Sequence, residues 1–291
     1  MRFQDTTTAR PEQPLVTSSI SRQNDDSRVE IYPRSVRVRR PGQVADGHQI
    51  PDRSGTTLQG FSSKSRRNLR FAAVNSFPSL ISQLGLTYHD QWPTDGRESK
   101  KHLDNFLRHV RRNYPWIKYL WIMEFQKRNA PHYHIFFSIA PDPGIHADLA
   151  NAWCRITSPG DDDALRFHLH QKNWIDWTMN NANYLAKYLD KDAQKSIPDG
   201  YYNFGRFWGN SRDLVPAPIT VPTDALRALD QVDQDTGEIV EGEKLIIRWL
   251  GRLAEKQTNG LSRFRSRASY GSYTILNGAA GYKQIERYLS K

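Results

Sequence analysis

Hydrophobic alternation is sharpest in two neighbouring runs, Lys118–Gln126 (KYLWIMEFQ) and Pro131–Ile139 (PHYHIFFSI), joined by the polar Lys127, Arg128, Asn129 and Ala130. Runs of this kind predict two β-strands and a short turn. Asn129 suits that turn, because Asn accepts the left-handed conformation better than most residues. Successive side chains on a strand point to opposite faces. In the second run His132, His134, Phe136 and Ser138 therefore share one face, and Tyr133, Ile135, Phe137 and Ile139 share the other, which reads as the core. In the first run Leu120, Ile122, Glu124 and Gln126 share a face, so a hairpin brings Glu124 or Gln126 beside the two histidines.

Other elements follow from period and punctuation. Ser63–Ala73 predicts a helix with a basic face, Leu84–Tyr88 a first core strand, and Leu103, Phe106, Leu107 and Val110 an amphipathic helix. A helix around Leu149, Ala152, Trp153, Cys154 and Ile156 and a strand near Trp174–Thr178 come after the hairpin. Ala182, Leu185, Ala186, Leu189 and Ala193 then form the buried stripe of another helix. The order β-α-β-β-α-β-α predicts an α+β domain over residues 61–216, an antiparallel β-sheet backed by helices. Residues 1–60, with five prolines among Ser, Thr, Asp, Gln and Arg, are expected to be a flexible tail. Residues 217–291 read as a small accessory module, with Leu245, Trp249 and Leu253 along a helix and basic and aromatic residues mixed through Leu261–Gly281.

Two constellations carry chemistry. Two imidazoles on one strand face plus one carboxylate make a metal site with positions left open for substrate, so His132, His134 and Glu124, with Gln126 as the alternative third ligand, are the candidate ligands. Opposite the buried stripe of the later helix stand Tyr184, Lys187, Tyr188 and Lys191. Core packing does not call for two aromatics among lysines on a polar face, and tyrosines one turn apart can visit the same phosphate. A second His-x-His, His168-Leu169-His170, follows an acidic stretch and lacks a hairpin carboxylate; edge-strand or surface histidines are the expectation there.

Charge and cysteine content narrow the class. Lys+Arg number 41 against 31 Asp+Glu, a formal net charge of +10, which fits a polyanionic partner. The cations cluster, as at Arg66-Arg67, Lys100-Lys101, Arg111-Arg112, Lys127-Arg128 and the later Arg263, Arg265 and Arg267, several near Trp116, Tyr119 and Trp121. Cations neutralise phosphates while rings stack unpaired bases. The single Cys154 excludes an internal disulfide framework and a Cys-rich zinc module. No run reaches the ~18 apolar residues of a membrane span, and Met1–Arg10 lacks a signal-peptide core. The expectation is a soluble intracellular protein.

The segment Glu124-Phe-Gln-Lys-Arg-Asn-Ala-Pro-His132-Tyr-His134, followed by Tyr184-Leu-Ala-Lys187-Tyr188-Leu-Asp-Lys191, resembles the HUH endonucleases. The likeness is to the two-tyrosine rolling-circle replication initiators of small single-stranded DNA phages and related replicons. Leu84-Gly-Leu-Thr-Tyr88 resembles that family's first motif, with Gly85 where a β-favouring hydroxyl residue is common. Phe204-Gly-Arg-Phe-Trp-Gly209 resembles a segment often found after the tyrosine helix. The resemblance covers roughly residues 62–216 and implies an RRM-like palm. It also implies metal-dependent nicking of single-stranded origin DNA, a 5′-phosphotyrosine and a free 3′-OH, with Tyr184 and Tyr188 as nucleophiles and Lys187 and Lys191 supporting them. Because phosphate oxygens complete the shell, Mg²⁺ or Mn²⁺ is the expected cation. Expected partners are single-stranded DNA at a replication origin and a host polymerase and helicase, in the cytoplasm of a bacterial cell. A two-tyrosine rolling-circle transposase and a non-catalytic single-strand DNA-binding regulator are the alternatives.

Overall fold

The computed structural model describes residues 28–39, 61–170, 173, 175–177, 196–221, 230–232, 234–240 and scattered positions from 242 to 287. In chain order these form β1 (Arg28–Tyr32), β2 (Ser35–Arg39), α1 (Ser63–Val74), β3 (Ser82–Leu86), α2 (Gly96–Asn113), β4 (Tyr119–Phe125) and β5 (Pro131–Phe137). There follow α3 (Pro143–Thr157), α4 (Asp162–Leu169), β6 (Asp176–Trp177), β7 (Trp208–Asn210), β8 (Ile219–Val221), β9 (Gln231–Val232), β10 (Ile239–Val240) and β11 (Thr274–Ile275).

The central sheet has five strands in the order β6-β3-β5-β4-β7, every neighbouring pair antiparallel. This is the α+β antiparallel architecture the hydrophobic pattern predicts. β3 lies two residues before its predicted place because Ser82 and Gln83 pair both with Phe137 and Phe136 of β5 and with Trp177 and Asp176 of β6.

One face of this sheet is sealed by helices. α2 buries Ser99, Leu103, Phe106, Leu107 and Val110, a stripe at helical spacing, and α3 contributes the fully buried Trp153. The Trp153 ring packs edge-on against Phe106 (centroids 5.9 Å), Tyr133 (6.4 Å) and Tyr88 (5.4 Å). Its indole N–H donates to the Thr87 carbonyl at 2.7 Å, satisfying the one polar atom this large side chain takes into the core. Tyr133 points into this layer, so His132 and His134 must point out of the other face.

Two expectations fail. His168 and His170 are not strand or surface histidines: α4 occupies that stretch, capped by Asp161, whose carboxylate accepts from the Ala164 N–H at 2.9 Å, with Asp162 and Asp163 in its first turn. Those acidic residues suit the helix N-terminus, and strand-like alternation of two histidines says nothing against a helix. His168 is buried, held against the Thr87 backbone, and burial pushes its pKa down to about 4; His170 is exposed. The second failure is in the expected tail. Residues 28–39 form the β1–β2 hairpin, which joins β8 and β11 in a four-stranded sheet ordered β11-β2-β1-β8. Val29, Ile31 and Val36 are buried there with Ile246 and Leu250. Asn75, just past α1, ties this sheet to the larger body, since its side-chain oxygen accepts from the Arg34 N–H and its amide donates to Ser35 Oγ at 2.8 Å.

The hairpin generates a stability prediction. Deleting residues 1–27 should leave the melting temperature nearly unchanged. Deleting residues 1–39 removes three buried apolar side chains and uncovers Ile246 and Leu250, and should lower it by more than about 5 °C, as read by differential scanning calorimetry. Equal melting of both truncations would show that the small sheet contributes nothing to the fold.

Candidate metal centre

The hairpin turn sets the register of the candidate ligands. The Asn129 N–H donates to the Gln126 carbonyl at 2.8 Å, and the Gln126 N–H to the Ala130 carbonyl at 2.9 Å. Asn129 takes φ 67°, the left-handed conformation its side chain tolerates. This turn pairs Glu124 with His132 and Ile122 with His134. Directly opposed side chains share a face, and the three ligand candidates converge accordingly. His134 Nε2 lies 3.3 Å from Glu124 Oε2, and the two imidazoles stand edge to face with centroids 4.5 Å apart at 84°.

Space for the cluster comes from a missing side chain. Gly85 of β3 pairs with His134, and a Cβ there would lie 3.2 Å from Cε1 of His132 and 3.4 Å from its Nε2. Glycine at this position leaves the volume the His132 ring uses.

The polar atoms at this centre are unevenly satisfied. Gln126 Oε1 accepts from Thr87 Oγ1 and from Arg128 Nε, each at 3.0 Å. Arg128 also donates to the carbonyls of Tyr88 and His89 and lies over the Trp92 ring, pinning the turn to the end of β3. By contrast Glu124 Oε1 and His132 Nδ1 are buried with no hydrogen-bond partner. Such atoms are costly to bury. A backbone hydrogen bond with Leu86 engages the other nitrogen of His132, the arrangement by which a ligating imidazole is fixed in one tautomer. Burial, and then His134, Arg128 and His168, push the His132 pKa down to about 3. The ring is thus neutral at ordinary pH, with its lone pair available.

Two neutral imidazoles and a buried carboxylate with an orphaned oxygen fit a divalent cation in donor type and in unmet polar capacity. Among the described residues, no three His, Cys, Asp or Glu side chains form a closed ligand shell; His134 and Glu124 instead meet each other directly. Tyr184, Lys187, Tyr188 and Lys191 lie outside the described residues. The structure places the flanks of that segment. Trp177 ends β6 beside β3, Ile197 packs on the core, and Tyr201 and Phe204 are buried in it. The Gly96 N–H donates to the Tyr202 carbonyl at 2.7 Å, where a Cβ at position 96 would collide with the backbone of Phe204 at 2.4 Å. The contributions of Gly85 and of the Thr87–Gln126 bond escape sequence reasoning, since both exist only through strand pairing.

Residues 82–193 match a family described as replication-associated protein ORF2. The match spans the sheet's first three strands in sequence order, the two histidines and the two tyrosines, and it supports a replication-associated protein. No curated protein and no solved structure matches the chain. Among the described residues no helix is long and apolar enough to cross a membrane.

Glu124 and Gln126 differ in what they can still bind. Mn²⁺ titrated calorimetrically should bind the wild type and Gln126→Ala with similar affinity. Glu124→Ala should lose about tenfold or more, since a hard cation favours the carboxylate. Undiminished binding by Glu124→Ala would remove it from the ligand set.

Proposed function

We propose that this chain initiates rolling-circle replication as a metal-dependent, sequence-specific nickase and strand transferase of single-stranded origin DNA. The observation that carries the reading is the meeting of His132, His134 and Glu124 on the open sheet face, with His132 Nδ1 and Glu124 Oε1 lacking partners. It lies inside the segment similar to replication-associated proteins.

In this reading His132, His134 and Glu124 hold Mg²⁺ or Mn²⁺, which supplies Lewis-acid polarisation of a non-bridging oxygen of the scissile phosphate. The chain's own residues do the rest. The phenolic oxygen of Tyr184 or Tyr188 attacks phosphorus, the bond to the 3′ oxygen breaks, and DNA remains joined through its 5′ phosphate to the tyrosine. The phenol gives up its proton, and the leaving oxygen takes one up as a free 3′-OH. A phenol of pKa near 10 is mostly protonated at neutral pH, and Lys187 and Lys191 favour its ionised form and offset charge on the phosphorus. Phosphodiester exchanged for phosphodiester conserves the bond energy, so the cut is reversible. With one tyrosine esterified, the other, one helical turn away, is available for the second cut after displacement synthesis. The 3′-OH released then closes the circle. A host polymerase extending the first 3′-OH and a helicase opening the duplex complete the scheme.

Nicking of single-stranded origin DNA provides the test. His132→Ala and His134→Ala should each lower the rate by about 100-fold or more while leaving DNA binding largely intact, whereas His168→Ala, inside α4, should not act on chemistry. Full cleavage by the two ligand variants in EDTA would remove the metal from the mechanism.

The tyrosines generate a separate expectation. Tyr184→Phe and Tyr188→Phe should each retain single-turnover nicking and fail to close circles, and the double variant should do neither. Peptide mapping of the covalent adduct decides: if every adduct maps to one tyrosine and the other variant closes circles normally, alternation is wrong.

A further inference from the structure

Away from the histidine face, a cavity of about 920 Å³ wraps the outer edge of β7. Its walls come from the first turn of α1 (Lys64, Ser65), the flank of α2 (Lys100, Arg111) and the β7 segment (Arg206, Trp208). The volume is within the range of small-molecule sites. Its charge balance is one-sided. Asp104, the acidic residue of the lining, is taken by Arg108 at 2.7 Å and Arg111 at 3.4 Å, and the first turn of α1 carries no acidic residue. Lys64 and Arg206 are exposed and make no ion pair among the described residues.

Lys100 is the unusual member. Its ammonium donates to Met123 Sδ at 2.8 Å and lies 4.5 Å from the Trp121 ring centroid and 4.9 Å from that of Tyr133. Among the described residues no carboxylate pairs with it. Aromatic faces and a thioether are weak compensation for a desolvated cation, and burial pulls its pKa well below the ordinary lysine value. The surroundings are rigid: Gly209 lies so close to Trp121 that a Cβ there would be 2.8 Å from Nε1. The Trp208 indole N–H donates to Ser65 Oγ at 2.9 Å. A cationic cavity with an unmet buried ammonium and no anion of its own is built for an anionic group from outside.

The ladder connects this cavity to the histidines. Ile122 of β4 pairs with His134 on one side and with Trp208 on the other, so the three share a face across two strand spacings, about 10 Å. That distance is a few nucleotides of extended strand.

We propose that the β7-edge cavity is a second phosphate site, holding a phosphodiester of the single strand that flanks the scissile linkage, with Lys100 and Arg206 as its cations. The proposal rests on the DNA-processing reading above and adds to it the path of the strand. The shared chemistry is a phosphate ester, which a free nucleotide could also supply.

Fluorescence anisotropy with an oligothymidylate of about twelve nucleotides, over a series of NaCl concentrations, tests it in wild type, Lys100→Met and Arg206→Ala. Each variant should bind more weakly, and the slope of log affinity against log salt should become shallower by about 0.7 for each phosphate contact removed. Arg206→Ala, on an exposed side chain, keeps the test open if Lys100→Met fails to melt like the wild type. Unchanged slope and affinity in Arg206→Ala, and in Lys100→Met where it folds, with normal binding by wild type, would overturn the cavity assignment and leave the nickase reading standing. Absence of oligonucleotide binding by wild type would overturn both. The third arm is deoxythymidine monophosphate. If it binds wild type and not the variants while their oligonucleotide slopes are unchanged, the cavity takes a free nucleotide and the strand path is wrong.

Discussion

The anchoring of Tyr133 is the constraint on which the rest of the structure depends. Its ring is fully buried beneath Trp153, and its hydroxyl shares a 2.9 Å hydrogen bond with Ser99 Oγ, which shares another at 2.6 Å with the Tyr201 hydroxyl. A one-residue slip of β5 would carry this tyrosine to the open face, bury both histidines in the apolar layer and strand three hydroxyl groups. Burial accordingly pushes the Tyr133 pKa far above the ordinary tyrosine value, because an ionised phenol has no place there. Ser99 comes from α2 and Tyr201 from the segment after residue 195, so one network fixes the register of the hairpin, the seating of a helix and the return of the chain.

That return matters because the family match ends at residue 193, while Phe204, Phe207 and Leu214 are buried in the same core as β3 to β5. The segment from Tyr201 to Asn210 closes the structure twice. It clamps the start of α2 through Gly96 and Tyr202, and it adds β7 to the outer edge of β4. Covering a sheet edge in this way removes a surface that would otherwise pair with another chain.

The hairpin was legible in the sequence because three signals agreed: period-two alternation, a turn with Asn at the position needing positive φ, and an apolar face opposite the histidines. The opposition of Glu124 and His132 follows from that agreement. What escaped was set by distant partners. The β1–β2 hairpin is short, and its hydrophobic residues Val29, Ile31, Val36 and Val38 are interrupted by charges; they acquire an inside only when β8 and residues near 246 and 250 arrive from the other end of the chain. α4 is hidden when His168-Leu169-His170 is read for alternation and Asp161 is overlooked, although its capping of a short acidic first turn is a helix signal in its own right. Lys100 looks like one of many surface cations in a basic helix. Nothing in its neighbours along the chain says that Trp121, Met123 and Tyr133 enclose it.

These misses share a physical origin, since local pattern reports on which face of an element is apolar but not on what lies against it. The two faces of the central sheet illustrate the difference. On the histidine face the chemistry is in residues that alternate along one strand, and the alternation survives in the sequence. At the β7 edge it comes from α1, α2 and the segment before β7, with no two contributors at a telling spacing. Glycine marks both places for the same reason. Gly85 leaves room for the His132 ring and Gly209 lets the backbone close on Trp121, each a position where a side chain would displace a functional or packing ring. A glycine inside a strand is unfavourable on intrinsic grounds, so its presence in β3 and again in β7 points to the rings beside it as the groups whose placement the sheet has been built to keep.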